Sequence, residues 1–330
     1  MAAPSPETST GHEATRAPDD IPFTRIAIVG MGLMGGSLGL ALKARRPGIT
    51  VVGIARRPSV VDLALQMGAA DEATTDLAEG VRQADLVVLS TPVRTLIRQI
   101  PEVAAHMQPG AVLTDMGSTK AAIMRAMAQV SWSIQPVGGH PMCGKEVAGL
   151  EVAEATLYEG ATWPLTPLER TDPAATAGMR ALVQAVGARP IMIEPDRHDR
   201  LVAAISHLPY LLAVALTGVV DEVGEQDDLV WALAASGFRD TSRVAASDMA
   251  MMLDILATNR RYVAAMAGRF HRRLGQLIVA LEAGDDAEQT DLRPRLEQAR
   301  EKRLWWGEWK ASHKLAASEA ANTDVKGEGG

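Results

Sequence analysis

The stretch RIAIVGMGLMGGSL, Arg25–Leu38, decides the fold. A short apolar run, Arg25–Val29, leads into Gly30, Gly32 and Gly35 at G-x-G-x-x-G spacing and then into a helical pattern. Strand, glycines and helix in that order are the setting in which a dinucleotide pyrophosphate is bound. Gly30 would allow the tight turn, Gly32 the close approach of the phosphates, and Gly35 tight packing of helix on strand. Leu33 and Met34 open the helix whose N-terminus would face the anion.

Outward from this stretch, apolar runs alternate with helical patterns: TVVGIA (Thr50–Ala55), DLVVLS (Asp85–Ser90), AVLTDM (Ala111–Met116), SIQPVGG (Ser133–Gly139) and PIMIE (Pro190–Glu194). Continuous apolar strands between helices imply a parallel sheet covered on both faces. The fold class expected is therefore α/β, a Rossmann-type doubly wound parallel sheet over 25–194. From Pro195 the strand signals stop, and Ala, Leu, Val and Met recur at helical spacing, so an all-helical domain is expected over 195–315. Residues 1–24 and 316–330 are polar and read as disordered tails. The first of these has no apolar h-region, and no apolar run elsewhere is read as approaching the ~20 residues of a membrane span.

Composition narrows the function. The 330 residues are 47% hydrophobic with a net charge of −7, and the basic residues are scattered. No nucleic-acid partner and no membrane surface is expected, which leaves small-molecule chemistry. One cysteine, Cys143, excludes an internal disulfide and a cysteine-built metal site, and fits a cytoplasmic location. No metal is expected.

Where an acidic residue would read the ribose of NAD, this chain has Ala55 followed by Arg56 and Arg57. A guanidinium suits a 2′-phosphate, so NADP is favoured over NAD. In an open α/β sheet, ligands collect at the carboxyl ends of the strands. That places Ser90, Thr91, Pro92, Asp115, Gly117, Ser118 and Lys120 along one crevice with Gly30. His140 stands there too, in GGHPMCGKE (Gly138–Glu146), presented by glycines and a proline at a strand end. Near pH 7 its neutral ring can accept a proton.

The motifs GMGLMGGSL, TDMGSTK, GGHPMCGKEVAG, ISHLP and GFRDTSRVAASD, in this order, resemble the prephenate/arogenate dehydrogenase family of tyrosine biosynthesis from about Arg25 to Glu282. The resemblance implies oxidative decarboxylation of prephenate to 4-hydroxyphenylpyruvate, with hydride transfer to NAD(P)+, by a homodimer. It makes His140 the catalytic base and Ser118 its hydrogen-bonding companion. It places His207 near the substrate and makes Glu146 shape the pocket. Arg243, whose planar guanidinium can hold a carboxylate bidentately from the helical half, is read as the substrate's carboxylate ligand, with Asp240 holding it in place. Glu146 follows Lys145 where relatives have Thr or Ser, and Met249 and Met252 stand where relatives have Pro and Trp. Lys145 near the pocket would disfavour an ammonium, which leans the reading to prephenate over arogenate. No ACT-type or chorismate mutase segment is expected after Glu282. The alternatives are arogenate dehydrogenase, another two-domain nicotinamide enzyme such as a β-hydroxyacid dehydrogenase or pyrroline-carboxylate reductase, and a non-enzymatic NADP sensor. The absence of lysine between Lys145 and Lys302 counts against a hydroxyacid dehydrogenase, and the joint presence of His140, Ser118 and Arg243 against a sensor.

Overall fold

The computed structural model describes residues 21–145, 147–283 and 292–326, the last fourteen positions (313–326) as backbone alone. Eight strands form one sheet: β1 (Arg25–Val29), β2 (Thr50–Ile54), β3 (Glu72–Thr74), β4 (Leu86–Leu89), β5 (Val112–Asp115), β6 (Gln135–Gly139), β7 (Thr162–Pro167) and β8 (Arg189–Met192). Their spatial order is β3-β2-β1-β4-β5-β6-β7-β8. Strands β1 to β6 run parallel, with the order reversing between β1 and β4, as in doubly wound nucleotide-binding sheets. β7 turns back antiparallel to β6, and β8 runs parallel to β7. The sheet is thus mixed at one margin, where the sequence implied a purely parallel one.

Two strands escape the sequence reading for different reasons. β3 is only three residues long. β7, TWPLTP, carries Pro164 and Pro167, which argue against a strand inside a sheet. Pro164 is tolerated because its carbonyl is what the neighbour needs: it accepts from the His140 N–H at 3.1 Å.

Helices α1 (Leu33–Arg45), α2 (Pro58–Gln66), α3 (Leu77–Val81), α4 (Val93–His106), α5 (Ala121–Met127) and α6 (Pro173–Ala185) cover the sheet. Side-chain alternation along β1 divides the core in two. Ile26 and Ile28 pack with Leu38, Leu42, Trp163 and Met179 on one face, while Ala27 and Val29 pack with Leu96, Ile100 and Ile123 on the other. A strand buried on both faces must be apolar throughout, which is why RIAIV and LVVL read as unbroken runs.

The helical half begins with α7 (Pro195–Val202), a π-helical turn (Ala203–His207) and α8 (Leu208–Gly224), followed by α9 (Leu229–Leu233), α10 (Ser236–Ser242), a 3-10 turn (Arg243–Ala246), α11 (Met249–Thr258), α12 (Arg260–Glu282) and α13 (Leu292–Lys326). α13 continues past 315, where a disordered tail was expected; alanine-rich KLAASEAA favours the helix. A second correction concerns the apolar helix over 195–224. By length and composition it could cross a membrane, so the expectation that no run is long enough fails. Ser206 and His207 lie in the π turn and Pro209 just after it, within one continuous helix. α8 buries only Ala213 within this chain and leaves Val214, Val219 and Val223 exposed.

Candidate active site

The parallel register brings four strand ends to one edge. Val29 pairs with Leu89, Leu89 with Asp115, and Thr114 with Val137, so the segments after β1, β4, β5 and β6 emerge side by side. Gly30, Ser90, Gly117–Lys120 and His140 follow these ends.

The glycines after β1 are held by geometry. Gly30 has φ +106°, and a Cβ there would lie 2.7 Å from the Ser90 carbonyl oxygen. A Cβ on Gly35 would lie 2.1 Å from the Gly30 carbonyl oxygen. Gly32 differs: it is the N-cap of α1, no side chain caps that end, and a Cβ would meet nothing within 4 Å. Open space over an uncapped helix N-terminus suits an anion, so the chain fits the pyrophosphate of a nicotinamide dinucleotide here. Ser90 donates its N–H to Val29, Thr91 donates its hydroxyl to Gln99 at 2.7 Å, and Pro92 caps α4 beside the glycine turn. Arg56 and Arg57 are exposed at the end of β2, which pairs with β1 through Ile54 and Val29. Among the described residues neither guanidinium has an ion-pair or hydrogen-bond partner.

Asp115 does not line the cofactor crevice as expected. It is fully buried, ion-paired with the equally buried Lys120, and accepts the N–H groups of Gly117 (2.8 Å) and Gly139 (3.1 Å). It ties the end of β6 to the turn after β5, and so acts on the site by positioning. Burial pushes the Asp115 carboxyl up and the Lys120 ammonium down, each opposed by the other's charge.

His140 is partly exposed, with its backbone fixed on Pro164 and its ring directed at the helical half. Its Nδ1 lies 2.9 Å from Nε2 of His198. His198 Nδ1 in turn lies 2.9 Å from Oδ1 of Asp199. Asp199 also accepts the backbone N–H groups of Lys120 (2.6 Å) and Ala121 (3.0 Å) at the start of α5. Desolvation first of all holds His140 well below the ordinary histidine range; positive charge on His198 when it is protonated, on Lys120, and on His207 when it is protonated adds to it, so the His140 ring is neutral at pH 7. A neutral ring with one nitrogen bonded can accept a proton at the other.

His207, in the π turn, is buried and receives a hydrogen bond at Nδ1 from Asn259 Nδ2 at 3.1 Å; the same amide donates to the Asp199 carbonyl at 2.7 Å. His140, His198, Asp199, His207 and Asn259 thus form one cluster at the junction of sheet and helices. Ser118, in the turn after β5, makes no hydrogen bond to His140 among the described residues; the ring partner is His198. Arg243 is exposed in the 3-10 turn packed on α8, and Asp240, expected to steady it, pairs with Arg239 at 2.9 Å. Glu146 lies outside the described residues. Lys145 does not reach toward a pocket: its ammonium binds the Val152 carbonyl (2.9 Å) and Glu154 (2.8 Å). Cys143 packs against the core, and burial pushes its thiol up to about 11, which suits packing over nucleophilic attack.

Sequence reasoning missed His198, Asp199 and Asn259. The signal available was a histidine beside an aspartate, PDRHDR, at the start of the first helix after the sheet.

Family models for the prephenate dehydrogenase nucleotide-binding domain (residues 38–192) and dimerization domain (residues 194–297) both match. A prephenate dehydrogenase of Bacillus subtilis is 33% identical over 262 residues, covering 79% of this chain and 71% of that protein. The chain belongs to the prephenate dehydrogenase family. A cyclohexadienyl dehydrogenase of Zymomonas mobilis, 30% identical, covers 80% of this chain and 90% of its own. Among solved structures, the arogenate dehydrogenase of Synechocystis superposes with TM-score 0.74 at 33% identity, covering 86% of this chain and 99% of that one. The Aquifex aeolicus prephenate dehydrogenase, in complex with hydroxyphenyl propionate and NAD+, superposes with TM-score 0.75 at 28% identity, covering 85% and 97%. Membership makes the chain an NAD(P)-dependent oxidoreductase with a Rossmann domain and a helical C-terminal domain.

Proposed function

We propose that the protein oxidatively decarboxylates prephenate to 4-hydroxyphenylpyruvate, with NADP+ preferred over NAD+. The observation that carries this reading is His140, neutral and presented at the end of β6 on the strand edge that carries the Gly30–Gly35 turn. A bound nicotinamide would supply the hydride acceptor for the ring carbon bearing the hydroxyl. His140 Nε2 takes the hydroxyl proton. As the ring carboxylate leaves as carbon dioxide, its bonding electrons make the ring aromatic with the oxygen as phenolate, and His140 Nε2–H returns the proton to that oxygen to give 4-hydroxyphenylpyruvate. The uncapped start of α1, with Gly32, Leu33 and Met34, would hold the pyrophosphate. Ser90, Thr91 and Pro92 would border the cofactor, and Arg56, with Arg57 beside it, would take the 2′-phosphate. Ser118, beside the β5 end, would hydrogen-bond the substrate hydroxyl. Arg243 would bind a substrate carboxylate bidentately, with His207 and Glu146 shaping the pocket around it.

Arogenate is the second reading, favoured by one observation. Lys145, whose charge would repel an arogenate ammonium, is occupied by Glu154.

Exposed Leu229, Trp231, Leu233, Leu253 and Val279 in the helical half, beyond those of α8, are surface that a second copy of the chain would cover, in keeping with a homodimer. A cytoplasmic location fits the single cysteine.

The test is the initial rate of nicotinamide reduction with prephenate and arogenate, each paired with NAD+ and NADP+. Turnover greatest with prephenate and NADP+ is expected; none in any pairing, with the protein folded, would overturn the reading.

A further inference from the structure

We infer that Asp199 and His198 form a two-step hydrogen-bond relay that locks His140 in the tautomer with its proton on Nδ1, leaving Nε2 as the acceptor. This rests on His140 acting as the base of the proposed reaction, but its geometry is independent of which substrate is used.

The logic runs from one end of the chain of bonds. Oδ1 of Asp199 already accepts the Lys120 N–H, and Oδ2 the Ala121 N–H, so both oxygens serve as acceptors. His198 Nδ1, 2.9 Å from Oδ1, must therefore carry a proton. The relay takes His198 in its neutral form, in which protonation on Nδ1 leaves a lone pair at Nε2. That lone pair lies 2.9 Å from His140 Nδ1, which must then be the donor. No described residue bonds His140 Nε2, so the relay leaves a lone pair on the one ring nitrogen free to meet a substrate. When Nε2 takes a proton, the ring becomes cationic, and its Nδ1–H bond to His198 strengthens at that moment. His198 is a positioning residue: it touches neither substrate nor cofactor in this arrangement.

Burial makes the device rigid. His198 and Asp199 are each 1% exposed, and Asn259 holds the Asp199 carbonyl, so the donor pattern cannot relax to water. The other charged or titratable groups facing His140 are Lys120 at the head of α5, paired with Asp115 from β5, and His207 from the π turn. None of them bonds its ring.

Asp199 is a poor target for mutation because its oxygens also hold the start of α5. His198 is the better one. His198→Leu removes the acceptor, whereas His198→Gln restores a carbonyl oxygen near the Nε2 position. In the full-length protein, kcat with prephenate and NADP+ should fall on the order of 100-fold or more in His198→Leu, as expected when a base takes the wrong tautomer. KM for prephenate and the NADP+ dissociation constant should stay within about threefold. His198→Gln should recover to within about tenfold of the parent.

Independently of turnover, long-range 1H–15N correlation on histidine-labelled protein, with His140 assigned by comparison with His140→Asn, should show the His140 proton on Nδ1. In His198→Leu it should shift toward Nε2. A wild-type His140 protonated on Nε2, or full activity in His198→Leu, would overturn the relay. If His198→Leu does not fold, the wild-type spectrum alone decides. A wild-type protein silent on prephenate, with His140 protonated on Nδ1, would overturn the substrate reading and support the relay.

Discussion

Replacing His207 by Asn should remove a specific part of the protein's acid sensitivity. His207 is buried at 1% exposure and pushed down to about 4, chiefly by desolvation; the Asp199 carboxylate opposes the shift and His198 adds to it. In the unfolded chain a histidine titrates near 6.5. Between about 6.5 and 4 the unfolded state therefore binds a proton that the folded state refuses, and stability falls as pH drops through that window. From pH 7.5 to 5 the unfolded histidine titrates over about 1.5 pH units, and at about 1.4 kcal/mol each the loss is about 2 kcal/mol. Asn does not titrate, yet its carbonyl can still accept from Asn259 Nδ2 in place of the ring nitrogen. Urea unfolding followed by circular dichroism at both pH values gives the comparison, with His140 and the carboxylates common to both proteins and so cancelling. The wild type should lose about 2 kcal/mol more than His207→Asn on acidification. Parallel losses in the two proteins would refute the reasoning and mean that His207 is free to protonate in the fold.

Gly32→Ala should fold with stability within about 1 kcal/mol of the parent, since its Cβ meets nothing. It should bind NADP+ about tenfold or more weakly in a fluorescence titration, because that methyl fills the space meant for phosphate. Arg56→Ala should lower the NADP+ to NAD+ ratio of kcat/KM by about tenfold or more, the loss of one charge-assisted contact; an unchanged ratio would assign Arg56 to the solvated surface. Lys120→Met leaves the Asp115 carboxylate buried without its counter-charge and should cost about 3–5 kcal/mol in urea unfolding. The deficit should shrink on moving from about pH 8 to pH 5, as the raised Asp115 carboxyl in the variant takes up a proton.

The sheet was legible because its physics is local. Apolar runs such as LVVL must be strands buried on both faces, and Gly30 and Gly35 follow a strand where only glycine fits. Gly32 and His140 could be read the same way, as residues presented at strand ends. β7 was hidden because TWPLTP is sustained by its neighbours: its central proline has no N–H to give and contributes a carbonyl to His140. The relay behind His140 was hidden for a related reason. His198 and Asp199 lie 58 or more positions away from it, and nothing in PDRHDR distinguishes a buried pair from a solvated one. Asp115 misled in the opposite direction: a strand-end carboxylate looks available to a cofactor until Lys120, five residues on, is seen to fold back onto it. Asp240 likewise stands three residues before Arg243, at helical spacing, but its carboxylate faces Arg239.

The most direct measurement is steady-state turnover of wild type and His140→Asn with prephenate and NADP+, alongside NADP+ binding. Loss of the base should reduce kcat by about 100- to 10,000-fold, with the NADP+ dissociation constant nearly unchanged, because the nucleotide is held at the Gly30–Gly35 turn. Turnover of His140→Asn within a few-fold of wild type would contradict the assignment of His140 as the base.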